Sequence, residues 1–158
     1  MKIIVMSDSH GKSGTLIDIG LTHNDADAFL FLGDGWRDFD DFKSVFDKKL
    51  CISVRGNCDF GYDGDDERII YLGGKKILMA HGHTFGVKSG IGRMVAEAKR
   101  NNCDIMLYGH THISNAEYRD GMYILNPGSA GHGGFGGNSY GIIEIKPSGI
   151  LTSIVKLN

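Results

Sequence analysis

Short apolar runs that stop abruptly at a small polar cluster recur along this chain. Lys2-Ile3-Ile4-Val5-Met6-Ser7 leads without a spacer into Asp8-Ser9-His10-Gly11. Phe29-Leu30-Phe31-Leu32 leads into Gly33-Asp34-Gly35, and Ile52-Ser53-Val54-Arg55 into Gly56-Asn57-Cys58-Asp59. The same order returns where Ile77-Leu78-Met79-Ala80 meets His81-Gly82-His83 and Ile105-Met106-Leu107-Tyr108 meets Gly109-His110-Thr111-His112. Uninterrupted apolar runs of this kind predict strands buried on both faces, the habit of parallel sheets. Between the early runs lie helical stretches, giving strands over 2–7, 27–32 and 50–55 and helices over 12–22 and 38–48. Val87, Ile91, Met94, Val95 and Ala98 repeat at helical spacing up to Asn101-Asn102, which predicts a helix between the His81 and His110 turns.

Elsewhere the connections tighten. Gly73-Gly74 joins 69–72 to 76–79, Asp120-Gly121 joins 116–118 to 122–125, and Pro147-Ser148-Gly149 turns 142–145 into a last strand. These are hairpin signals. Parallel strands need cover on both faces and the terminal hairpins can supply a second sheet, so the pattern predicts an α/β fold of two stacked mixed sheets flanked by helices. No internal repeat appears, and 1–158 reads as a single domain. Gly131-His132-Gly133-Gly134-Phe135-Gly136-Gly137 is the one low-complexity stretch and reads as a mobile loop.

Composition narrows the function classes. A chain of 158 residues that is 41% hydrophobic can bury an ordinary core, and 17 basic against 19 acidic residues leave no polybasic surface for nucleic acid or membrane. Attraction for phosphate therefore has to come from bound metal. The motifs show neither a basic track nor aromatics placed to stack bases, which argues against a nuclease. Three cysteines, Cys51, Cys58 and Cys103, fit free thiols in a reducing compartment, and no apolar stretch approaches bilayer length. A cytoplasmic protein is expected, and exposed hairpin edges are compatible with a homo-oligomer.

In open α/β sheets, functional groups gather beyond the carboxyl ends of the strands, so these turns can pool their side chains in one crevice. Asp8, His10, Asp34, Asn57, His81, His110 and His112 are the candidate metal ligands. Two carboxylates, an amide oxygen and four imidazoles make a mixed nitrogen and oxygen set, which favours manganese, iron, zinc or nickel over calcium. Manganese is the first expectation. Two divalent ions about 3.5–4 Å apart supply the charge neutralisation and the deprotonated water that phosphate ester hydrolysis needs at neutral pH.

The D-x-H, G-D, G-N-x-D, H-G-H and G-H-x-H segments, in this order and each after a strand, resemble the calcineurin-like metallophosphoesterase family. The resemblance implies a four-layer αββα sandwich. It implies one metal held by Asp8, His10, Asp34 and His112, a second by Asp34, Asn57, His81 and His110, with Asp34 bridging, and a metal-bridging hydroxide that attacks phosphorus in line. Asp34, Asn57, His110 and Cys58 are the candidate catalytic residues. Many members of the family carry histidine where this chain has Cys58, and that histidine can protonate the leaving group. The G-N-C-D variant and the Asn126-Pro127-Gly128-Ser129 segment are similar to a small bacterial and archaeal phosphodiesterase subfamily. A thiol is a poor proton donor beside an imidazolium, so a small phosphodiester with a good leaving group is the expected substrate. A phosphomonoesterase, a nuclease and a non-catalytic scaffold of the same fold are the rivals, and the scaffold reading ranks low because the metal histidines are all present.

The remaining signals are weaker. His23 reads as a helix-end cap, His83 as a phosphate contact or an exposed loop residue, and His132 carries no assignment. Cys58 is read as shaping the leaving-group side of the pocket, and Asp59 as holding the turn after Asn57. Trp36, Arg37 and Arg55 are candidate specificity residues whose bland alternatives are a packed aromatic and a surface ion pair. Gly11-Lys12-Ser13 is no P-loop, because the first glycine of that motif would fall on Met6 inside a strand. The glycine-rich 131–136 match to a dinucleotide motif is followed by a strand-like run where a helix is required.

Overall fold

The computed structural model describes residues 1–157. Strands β1 (Lys2–Met6), β2 (Ala28–Phe31) and β3 (Leu50–Ser53) run parallel, joined through helices α1 (Ser13–Thr22) and α2 (Trp36–Val45). The chain then enters a second sheet with β4 (Glu67–Leu72), β5 (Lys75–Ala80), helix α3 (Gly92–Arg100), β6 (Ile105–Tyr108), β7 (Asn115–Arg119) and β8 (Met122–Asn126). The hairpin of β9 (Ser139–Lys146) and β10 (Gly149–Lys156) ends it. The strand orders are β10-β9-β1-β2-β3 and β4-β5-β6-β8-β7.

Period-two alternation along the strands builds the layers. Ile3 and Val5 of β1 face the second sheet and pack with Leu30, Ile77, Met79, Ile105, Leu107 and Leu125. Ile4 and Met6 face the other way, onto Leu16 and Ile19 of α1 and Phe39 and Phe42 of α2. On the far side, Leu78, Met106 and Ile124 receive Met94 and Ala98 of α3. The result is the expected αββα sandwich.

Three local expectations need correction. The terminal hairpin does not belong to the second sheet: β9 lies antiparallel to β1 and extends the first one. Ile143 and Ile145 then complete the layer between the sheets, while Tyr140 completes the layer beneath the helices. Helix α2 starts at Trp36 rather than at 38, for a reason given by Asp59 below. The helical run from Val87 is interrupted: a 3₁₀ turn covers Val87–Ser89, Gly90 adopts a φ of 133°, and the α-helix begins only at Gly92. The other turns form as expected. Gly73 and Gly74, with φ of 56° and 74°, give the β4–β5 hairpin the left-handed pair that matches strand twist.

Candidate metal centre

Strands β1, β2 and β3 point one way in the first sheet, and β5, β6 and β8 share one direction in the second. Their carboxyl ends meet at one rim, where all of the expected ligands gather. His112 Nε2 lies 3.1 Å from Asp8 Oδ1 and 3.3 Å from His10 Nε2. His81 Nε2 lies 3.4 Å from Asp34 Oδ2 and 3.1 Å from both Asn57 Oδ1 and His110 Nδ1. His10 Nε2 is 4.0 Å from that same Asp34 oxygen, so one carboxylate oxygen faces both groups.

The donor atoms are arranged as a cation would require. Asp8 is fully buried; its Oδ2 accepts from Ser7 Oγ and the His110 N–H, but its Oδ1 accepts no hydrogen bond. Asp34 is divided the same way, with Oδ1 taking the Cys58 N–H at 2.7 Å and Oδ2 left to the imidazoles. The imidazoles are pre-set. Nδ1 of His81 faces the Leu32 carbonyl at 2.7 Å and Nδ1 of His112 faces the His132 carbonyl at 2.8 Å, so each must carry its proton there. That tautomer turns the Nε2 lone pair inward. The buried Asp8 Oδ1, without a hydrogen-bond donor among the described residues, and the inward Nε2 lone pairs of His81 and His112 form a donor set that divalent ions fit. Three-residue subsets suited to a metal ion are Asp8 with His10 and His112, Asp34 with His81 and His110, and His10 with Asp34 and Cys58.

Backbone strain marks the same residues. Asp8, His10, Asp34, His110 and His112 all have φ between 46° and 66°, a left-handed region that costs a side-chain-bearing residue about 1–3 kcal/mol. Such turns persist only when neighbours over-determine them, and buried polar groups do so here. Asp59 accepts the N–H groups of Asp34, Gly35, Trp36 and Gly56 at 2.7–3.0 Å. It therefore holds the Asp34 turn and caps α2 as well as its own turn, more than the sequence suggested. Asp38 accepts from Ser9 Oγ and the Gly11 N–H, fixing the loop of Asp8 and His10. Asn126 donates to the Gly109 carbonyl and Thr111 Oγ1, securing the turn of His110 and His112. Ser129 Oγ donates to the Asp8 carbonyl and accepts the His132 N–H, so it ties the backbone that orients His112 to the β1 loop. These partners are distant in sequence, and of them only Asp59 and the Asn126–Ser129 segment drew notice there. Gly56 is required for steric reasons, because a Cβ there would collide with the Asp34 carboxylate.

Charge follows the geometry of these side chains. Burial raises the Asp34 carboxyl, but His81 and the Cys58 N–H outweigh it and leave it well below the usual range. Burial also lowers His81, and there the two carboxylates prevail and raise it. His110 is lowered to about 4 by burial and by the neighbouring His81 charge. The Asp8 carboxylate raises His112. Desolvation and the carboxylates push the Cys58 thiol up to about 11, so it is a neutral thiol at pH 7.

The other sequence readings divide. Arg55 pairs with Asp66 at 2.8 Å, Trp36 stacks on Tyr62, and exposed Lys12 stands at the start of α1. His23 caps α1 through its N–H, and its ring also reaches the Tyr140 hydroxyl at 2.7 Å. His83 is half-buried beside His81, with an unpartnered Nδ1. His132 lies against His10, ring centroids 5.7 Å apart. The glycine-rich stretch is partly fixed, since Gly133 is buried and its N–H is held by Asn138. The expectation of no aromatics near the motifs fails: Trp36, Phe60 and Phe135 all line clefts at the site. Cys51, Cys58 and Cys103 are free thiols, and no helix among the described residues is long and apolar enough to cross a membrane.

The calcineurin-like phosphoesterase superfamily domain matches residues 1–148. The chain belongs to that superfamily. It is 33% identical over 129 residues to the probable metallophosphoesterase YsnB of Bacillus subtilis, covering 82% of this chain and 75% of that one. It is 32% identical over 117 residues to the phosphodiesterase YfcE of Escherichia coli, covering 68% and 57%. Among solved structures, a predicted phosphoesterase from Streptococcus pneumoniae superposes with a TM-score of 0.85 at 29% identity, covering 98% of this chain and 88% of the other. Vps29 of Entamoeba histolytica superposes at 0.74 and 21% identity over the whole of both chains, a likeness of fold alone.

Proposed function

We propose that this superfamily member is a two-metal phosphodiesterase, with Asp8, His10, Asp34 and His112 holding one divalent ion and Asp34, Asn57, His81 and His110 the other. The observation that carries this reading is the division of labour within each carboxylate: one oxygen is tied to the protein and the other is left facing imidazoles. Bound divalent ions supply charge neutralisation at phosphorus and water acidified to near neutrality. The chain's own groups orient and exclude. Asp34 Oδ1 is held by the Cys58 N–H, which fixes the direction of Oδ2. Asn57 Nδ2 donates to Cys58 Sγ at 3.2 Å, which aims Asn57 Oδ1 at the site. His110 presents Nδ1 to the same group, 3.1 Å from His81 Nε2, as the fourth donor for the second ion.

Cys58 occupies the rim as a neutral thiol, so neither nucleophilic attack nor efficient proton donation is its role. Substrates whose leaving group departs without a proton are favoured. The substrate also has two arms in this reading. A cleft of about 340 Å³ opens on the His10 and Asp34 side, and another of about 510 Å³ on the His110 and His112 side. A diester places one substituent in each, whereas a monoester leaves one empty. The phosphodiesterase name of the YfcE relative supports the same choice. Manganese, residence in the cytoplasm and a single domain over 1–158 complete the proposal, the compartment supported by the free thiols. A scaffold role on this fold is disfavoured by the retained donor set.

The test is hydrolysis of bis(p-nitrophenyl) phosphate by chelated protein with and without added manganese. Turnover should depend on metal, and Asp34→Asn or His110→Ala should reduce it at least about 100-fold, the upper end of what losing a mere outer-shell partner costs. No turnover with any divalent ion would refute the enzyme reading.

A further inference from the structure

The cleft beside His10 and Asp34 has a wall with no part in holding metal. Trp36 opens α2, and its indole stacks on Tyr62 at 5.4 Å and 11°, which fixes it in place. Phe60, on the loop after Asn57, lines the same cleft yet is 82% exposed. A single exposed phenyl ring is unremarkable, but this one borders a cleft that already holds an indole and a guanidinium. Arg37 lies 5.2 Å from the indole centroid and makes no ion pair among the described residues.

The cleft's carboxylates are committed elsewhere. Asp38 is engaged by Ser9 and Gly11, and Asp59 by four N–H groups. What remains for a ligand is the Phe60 and Trp36 rings, the Arg37 guanidinium, which no carboxylate among the described residues pairs, and the donor atoms of the metal centre. Its volume of about 340 Å³ lies within the range of about 300–1,000 Å³ usual for small-ligand pockets. A flat π-system attached to a phosphoryl group matches that combination, because bases stack on aromatic faces and guanidinium adds cation–π attraction and hydrogen-bond donors.

We infer that Trp36, Phe60 and Arg37 form a base-binding subsite, so that the substrates are nucleotide phosphodiesters with the phosphate at Asp34 and a nucleobase in this cleft. This rests on the two-metal reading for the phosphate, and on the aromatic wall alone for the base.

Trp36 is the chain's single tryptophan, so its fluorescence reports on this cleft directly. Manganese-loaded protein is titrated with AMP, with ribose 5-phosphate and with inorganic phosphate. AMP should quench the emission and bind at least about tenfold more tightly than ribose 5-phosphate, a modest share of what one stacked base contributes. Phe60→Ala, at an exposed position that should not disturb folding, should remove most of that advantage and leave ribose 5-phosphate binding within about twofold. Trp36→Leu, followed by calorimetry, should do the same. Equal binding of AMP and ribose 5-phosphate by the unaltered protein would overturn the subsite while leaving the phosphate site standing. An AMP preference that survives both substitutions would also overturn it. Failure of all three ligands to bind would refute the metal-centre reading, and the subsite with it.

Discussion

At the scale of residues, hydrogen bonds at Asp8, Asp34, Asn57, His81 and His112 determine which atom each of these proposed ligands offers. The pair His81 and His110 shows the consequence most clearly, with Nε2 of one 3.1 Å from Nδ1 of the other. In chelated protein the carboxylates raise His81, while burial and the His81 charge lower His110 to about 4. The linkage has opposite signs for the two. The raised His81 adds stability below the unfolded value of about 6.5, and this is lost as pH rises through its folded pKa. The lowered His110 costs stability as pH falls from about 6.5 towards 4, because the unfolded chain takes a proton that the folded one refuses. Assigned proton NMR of the chelated protein should therefore find His81 titrating above 6.5 and His110 well below it. Two ordinary titrations near 6.5 would show that the rings do not meet. The residues that gather at the rim were legible in the sequence because each sits in a tight turn after a strand. His132 was not, since its contribution to His112 is a backbone carbonyl, which no side-chain pattern announces.

At the scale of elements, the site is a set of strained turns held by groups from elsewhere in the chain. Helix α2 illustrates why the sequence placed its start two residues late. Its first N–H groups are capped by Asp59, which is 23 residues away from Trp36, and no local capping residue precedes it. Replacing Asp59 by Asn puts an amide NH₂ against donors and removes the charge from a buried acceptor of four N–H groups. Asp59→Asn should lower stability by about 2–4 kcal/mol in a denaturant melt and weaken manganese binding about 10–100-fold by calorimetry. A variant with unchanged affinity would mean that the Asp34 turn holds itself. The break in the helical run after Val87 was hidden for a related reason. Gly90 is compatible with a helix at modest cost, and only its φ of 133° reveals the interruption.

At the scale of the whole molecule, alternation along the strands divides one sequence into three apolar layers, and that division was readable from the apolar runs. Which sheet receives the last hairpin was not readable. An amphipathic hairpin with Ile143 and Ile145 on one face fits either sheet edge, and the choice is made by pairing with β1. Stacking the sheets with their parallel strands ending at one rim brings the Asp8 turn against the His110 turn, across 102 residues of chain. The His110 N–H bond to Asp8 Oδ2 joins the two sheets at this rim, together with the contacts of His112 to Asp8 and of His81 to Asn57 and the Leu32 carbonyl. Crystals of manganese-loaded protein, examined by anomalous scattering at the metal edge, test this convergence most directly. Two ions per chain should lie on either side of the Asp34 carboxylate, one against Asp8, His10 and His112 and the other against Asn57, His81 and His110. A single ion, or density remote from Asp34, would contradict the two-metal centre.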